Sequence, residues 1–124
     1  MSYTISVSED RKYIITISIG KLDNEIARQQ NMEAQALGKQ MGIDRFFVDM
    51  VESRYEGGPI AHYEFANSRK LSPDQYNRYA RVAILVQEDD HSHDFVETVS
   101  RNAGFDITIF RDREEAIHHL THDL

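Results

Sequence analysis

The sequence predicts an α/β fold with the element order β-β-α-β-α-β-α-β-α, a mixed, mostly parallel sheet packed with helices and a single domain over residues 1–124. Three observations predict it. The chain opens with two segments in which apolar and polar residues alternate. After them, segments with helical periodicity are interspersed with strand-like segments. The central strand-like segments are apolar at consecutive positions. Consecutive apolar residues are typical of strands that are covered on both faces, as in a parallel sheet.

The first 42 residues predict a hairpin and a helix. Residues 3–7 and 13–19 each alternate apolar and polar side chains, with the turn "SEDRK" between them, which favours two antiparallel strands. A helix is expected from Asp23 to about Met41, followed by Gly42 as a left-handed cap residue. Its apolar face recurs at spacings of three and four, at Ile26, Gln30, Ala34, Leu37 and Met41.

The middle of the chain predicts two buried strands with a helix between them. "RFFVDM" at residues 45–50 is short and apolar, and we expect it to be the central strand. "YEGGP" then forms a connection, and Pro59 suits the first turn of a helix that extends to about residue 69. The next strand, at residues 82–86, is the most apolar segment of the chain.

Two capping-box spacings predict the remaining helices. Asp94 and Glu97 are three residues apart, so a helix is expected to start at Asp94 and to end before Gly104. Residues 105–109 alternate as the last strand. Asp112 and Glu115 repeat the spacing and predict the final helix.

Composition narrows the function classes. The chain has 124 residues, a net charge of −7 and no cysteine, so disulfides, thiolate metal sites and a cysteine nucleophile are excluded. Residues 88–124 hold 10 acidic and 3 basic side chains, whereas the rest holds 11 of each. We expect no nucleic-acid binding, because that needs a basic surface. Without a long apolar run or a secretion signal, we expect no membrane insertion and a cytoplasmic location.

Three segments resemble the STAS domain family, most closely its sporulation anti-sigma-factor-antagonist-like branch. They are "RFFVDM", "RVAILV" and the ending "NAGFDITIFRDREEAIHHL". The resemblance covers essentially the whole chain and implies a protein-interaction switch. In the antagonists, a serine at the start of the second helix is phosphorylated by a partner kinase. Here Tyr55, Glu56, Gly57 and Gly58 occupy that place and Ser53 comes too early, so we expect no phosphoserine switch of that kind.

Two histidine clusters were weighed as metal sites. "QEDDHSHDF", with His91 and His93, has the ligand types of Zn²⁺ or Mn²⁺. A helix start with solvated side chains is the favoured interpretation, because acidic residues suit the positive end of a helix. "HHLTH" places His118 and His122 four residues apart on one helical face, but solvated surface is again favoured. The sequence therefore predicts no metal site, no cofactor and no catalytic residue.

The first functional hypothesis is a non-enzymatic regulatory module that binds a regulatory protein. The alternative is a carrier or sensor of a small apolar or lipid-like ligand, bound between the sheet and the tyrosine-bearing helix after Pro59. A homodimer and a modification of Ser53 are left open. We expect the binding residues where parallel strands end, since ligands of open α/β sheets collect there. They are Asp49, Ser53, Glu56, Gly57, Gly58, Tyr63, Asp90, His91 and His93.

Overall fold

A computed structural model describes residues 2–55, 80–92 and 106–124, together with residues 94, 97, 98 and 101. Five strands form one sheet in chain order, and all pairs are parallel except the first. This confirms the predicted mixed, mostly parallel sheet. The elements are β1 (Ser2–Val7), β2 (Ile14–Leu22), α1 (Asn24–Met41), β3 (Arg45–Tyr55), β4 (Arg81–Leu85), β5 (Asp106–Phe110) and α2 (Arg113–Thr121).

Helices pack on both faces of the sheet. Phe46 and Phe47 are neighbours on β3, and strand geometry sends them to opposite faces. Phe46 belongs to the cluster on the α1 face, with Ala34, whereas Phe47 packs with Leu120 of α2. α1 lies against β1 and β2, and α2 lies against β3, β4 and β5. The consecutive apolar residues of β3 and β4 are thus explained by two covered faces.

Local signals set both ends of α1. The carboxylate of Asp23 accepts a hydrogen bond from the backbone N–H of Ile26 at 2.9 Å, which satisfies one free donor of the first turn. Gly42 ends the helix at φ 70°, a left-handed conformation that glycine adopts without steric cost. The predicted helix from Asp23 to Met41 is confirmed.

β3 is longer than the sequence predicted. Residues 51–55 continue the strand instead of forming a connection, because they pair with the extension of β2, where Gly20 lies opposite Ser53 and Leu22 opposite Tyr55. Ile17 lies opposite Asp49 and Ile19 opposite Glu52, so β3 holds one extra residue at a bulge there.

The two capping-box predictions had different outcomes. Asp112 caps α2, since its carboxylate accepts from the N–H of Glu115 at 3.1 Å. Residues 94, 97, 98 and 101 are helical, as predicted. However, the carboxylate of Glu97 accepts a hydrogen bond from the N–H of Ile109 on β5, and the carboxylate of Asp94 contacts His91 and Arg111. The Glu97 side chain therefore binds β5, and the Asp94 side chain binds His91 and Arg111. Neither carboxylate bonds the backbone of the other residue, as a capping box would require.

No helix within the described residues is long and apolar enough to span a membrane. The predicted helix after Pro59 lies outside the described residues.

Candidate functional site

The ends of β3, β4 and β5 meet at one edge of the sheet. We call this the carboxyl edge and define it as residues 49–54, 87–92 and 111–113. Side-chain and backbone hydrogen bonds join its three segments. Gln87 Nε2 donates to the carbonyl oxygen of Val51 at 2.6 Å, and the N–H of Val86 donates to the carbonyl oxygen of Phe110 at 3.0 Å.

Asp90 is the buried carboxylate of this edge, at 1% exposure. Its Oδ1 accepts from the N–H of Ser92 at 2.9 Å and lies 3.5 Å from Arg54 Nη1. Burying a carboxylate is costly unless it has a partner, and Arg54 supplies such a partner for Asp90. Arg54 Nη2 also lies 3.6 Å from Asp89 Oδ1, and the Asp89 side chain is 79% exposed. Arg54 thus joins a buried acid to an exposed one.

Arg111 fastens the loop after β4. Its Nη2 donates to the carbonyl oxygen of Asp90 at 2.9 Å, and its Nε donates to the carbonyl oxygen of Glu88 at 3.2 Å. The same Nη2 lies 3.4 Å from Asp94 Oδ1. A planar guanidinium with several fixed donors suits such a set of acceptors. The loop conformation is therefore determined by a residue that follows β5.

His91 has two alternative partners on this edge. Its Nδ1 lies 2.8 Å from Asp94 Oδ2 and 3.2 Å from Arg111 Nη2. The contact with the carboxylate requires a proton on Nδ1, whereas arginine can only donate and so requires a bare Nδ1. One nitrogen cannot satisfy both at once. The imidazole, which is 69% exposed, therefore has two competing hydrogen-bonded arrangements.

Asp49 of β3 holds the start of α2. Its Oδ2 accepts from Arg113 Nη2 at 2.8 Å, and its Oδ1 accepts from the N–H of Val51 at 3.1 Å. The Arg113 guanidinium also lies over the Phe47 ring, 5.4 Å from its centroid. One carboxylate oxygen of Asp49 thus attaches β3 to α2, and the other bonds the backbone of β3 itself.

Among solved structures, the chain is similar to an uncharacterised protein of the DUF3478 family from Shewanella loihica PV-4, which has a SpoIIAA-like fold. The likeness has a TM-score of 0.58 and covers 96% of this chain and 92% of that one, at 22% sequence identity. The chain has a STAS-like fold. No family model matches the sequence, and no curated protein matches it.

Ser53 lies inside the STAS-like fold rather than on its rim. It is 3% exposed, and its Oγ has no hydrogen-bond partner among the described residues. Ser53 lies opposite Gly20 of β2. Two residues before Gly20, Ser18 faces α1, because its hydroxyl donates a hydrogen bond to the side chain of Gln30. The sequence analysis predicted Ser53 as a binding residue, but the extension of β3 buries it on the α1 face.

The other predicted site residues divide into two groups. Asp49, Asp90 and His91 come together at the carboxyl edge of the STAS-like fold, together with Arg54 and Arg111. The remainder lie outside the described residues, and so does the predicted apolar-ligand site: Glu56, Gly57, Gly58, Tyr63 and His93. Within the described ranges, no three His, Asp or Glu side chains converge to hold a metal.

The sequence analysis missed four residues that build the edge. Each of them lies at or after the end of a strand and within two residues of an acidic side chain, and that position was the available signal. They are Arg54, Gln87, Arg111 and Arg113.

Proposed function

We propose that this chain is a non-enzymatic, cytoplasmic regulatory module of STAS type that binds a protein partner through its carboxyl edge. The observation that carries the proposal is the locking of three strand exits by hydrogen bonds from Gln87 and Arg111 to backbone carbonyls. A surface held in one conformation loses less entropy on binding, so a larger part of its contact energy remains as affinity. A chain without cysteine suits a reducing compartment.

The exposed side chains of this edge offer both signs of charge. Asp89 and Arg54 are 79% and 56% exposed at the side chain, and His91 stands beside them. Charges at the rim of an interface select a partner and set its orientation more than they add affinity. A partner with complementary charges in the same arrangement fits this surface.

The carboxylates support a binding role over an acid–base role. Asp49 and Asp90 are the buried acids of the edge, and each is engaged with an arginine and with a backbone N–H. A general acid or base needs to exchange a proton at the reacting group. Carboxylates that are engaged with an arginine and with backbone instead stabilise the architecture of the surface.

The usual phosphoserine switch is not part of this proposal. The stretch "YEGGP" has no serine, and Ser53 is buried. A kinase needs an accessible hydroxyl, so partner binding here is proposed to proceed without phosphorylation at Ser53.

A charge-reversal pair tests the proposal. The protein is used as bait in lysate of its native host, and retained proteins are quantified by mass spectrometry for wild type, Asp89→Lys and Glu9→Lys. Glu9 is also an exposed acid, but it lies in the turn before β2, at the opposite end of the parallel strands. We expect a protein that is retained by wild type and Glu9→Lys and lost from Asp89→Lys. Equal retention by both variants would count against the carboxyl edge.

A further inference from the structure

A second site lies on α2, away from the carboxyl edge. An open depression of about 710 Å³ is lined by Phe110, Glu114, Glu115, His118, His119 and His122. α2 begins at the carboxyl edge, and its last turn reaches the start of β4, where Arg81 Nη1 donates to the carbonyl oxygen of His119 at 3.1 Å. The depression therefore lies outside the carboxyl edge, which is the proposed partner surface.

Two imidazoles of this depression have the separation that one metal ion requires. The ring centroids of His118 and His122 are 5.4 Å apart, with 27° between their planes. With metal–nitrogen bonds of about 2.1 Å, each centroid would lie about 3.2 Å from a tetrahedral ion and the two centroids about 5 Å apart. The observed separation of the two rings is close to this value.

The tautomer of His122 is already suited to metal binding. Its Nδ1 lies 3.0 Å from the carbonyl oxygen of His118, and a carbonyl can only accept. Nδ1 therefore carries the proton and Nε2 carries the lone pair. Histidines that bind metals usually donate their other ring N–H to a backbone carbonyl or a carboxylate in this way.

The surroundings favour a cation. Glu114 and Glu115 precede His118 by four and three residues, which places them on the same side of the helix. His119 is the third imidazole, with its ring centroid 6.5 Å from that of His122.

We propose that His118 and His122 bind one divalent transition-metal ion of the zinc type, with water completing its coordination and Glu114 and Glu115 as the nearby negative charges. Imidazole ligands suit Zn²⁺, Ni²⁺ and Cu²⁺, whereas Mg²⁺ prefers oxygen ligands. Two protein ligands make an exchangeable site rather than a structural one. The sequence analysis favoured a solvated surface for His118 and His122. The separation of their rings and the depression beside them are visible only in the folded chain.

Calorimetric titration of the purified protein with ZnCl₂ at about pH 7.5 tests the proposal. We expect one saturable site per chain, and at least tenfold weaker binding in His118→Gln and in His122→Gln. His91→Gln, which removes an exposed histidine at the other end of α2, should leave the affinity unchanged. MgCl₂ should give no saturable heat. Circular dichroism of each variant checks that the helix is retained.

Three results would overturn the site. They are no saturable zinc binding by wild type, unchanged affinity in the double variant His118→Gln/His122→Gln, and loss of binding in His91→Gln alone. The titration uses no partner protein, so it succeeds or fails independently of the proposed partner binding.

Discussion

Arg111 Nη2 donates a 2.9 Å hydrogen bond to the carbonyl oxygen of Asp90, and this bond joins the segment after β5 to the loop after β4. The same side chain reaches the carbonyl oxygen of Glu88 through Nε. Because both acceptors are backbone atoms, Arg111 determines the path of the loop whatever side chains the loop carries. Partner recognition at the carboxyl edge, as proposed above, depends on this fixed path.

Arg111→Ala should therefore lower the free energy of unfolding by about 1–2 kcal/mol, the scale of losing hydrogen bonds from a charged donor. The amide of Ser92, which bonds Asp90 in the same loop, should exchange with solvent faster. Urea unfolding and amide hydrogen exchange measure the two effects. Arg101→Ala removes an exposed helical arginine and serves as the control. A loss no larger than in that control would show that the loop holds its path without Arg111.

The ion pair between Asp49 and Arg113 should be energetically coupled. Their atoms are 2.8 Å apart, and the Asp49 side chain is 13% exposed, so the pair is partly shielded from water. A double-mutant cycle with Asp49→Asn and Arg113→Gln, measured by urea unfolding, should give a coupling energy of about 1 kcal/mol. If the changes in unfolding free energy of the two single variants simply add up in the double variant, the ion pair does not stabilise the protein.

His119 should make the protein less stable in mild acid. Burial lowers the pKa of its imidazole below the ordinary value of about 6.5, so the folded state binds fewer protons than the unfolded chain. Its stabilising contribution is complete above about pH 6.5 and is lost as the pH falls through the folded-state pKa. The charged groups that act on it are Asp106, Arg81, His122 and Arg45.

Urea unfolding at about pH 7.5 and pH 5.5 measures this effect. The loss of stability between the two values should be smaller in His119→Gln than in wild type. His91→Gln, at an exposed imidazole, should keep the wild-type loss. The same loss in all three proteins would contradict a role for His119.

Local sequence signals predicted much of the fold. Features that depend on pairing between distant residues could not be predicted. Asp23 and Gly42 act on neighbouring backbone, so both ends of α1 were predictable. The end of β3 was not, because residues 53–55 become strand only by pairing with β2, more than 30 residues earlier.

The candidate site was predictable as a location but not in its chemistry. Asp89 and Asp90 are identical neighbours in the sequence, yet the first side chain is exposed and the second is buried against Arg54. Arg111 acts on carbonyl groups about twenty residues earlier, and no residue pattern encodes that contact. Burial and backbone acceptors are properties of the folded chain.

Site-specific photo-crosslinking in living host cells tests the central claim most directly. A photo-reactive amino acid replaces Asp89 in one variant and Glu9 in the other, so that the two ends of the sheet are compared at exposed acidic positions. We predict one discrete crosslinked partner from position 89 and no such product from position 9. The same product from both positions, or no product from position 89, would contradict partner binding at the carboxyl edge.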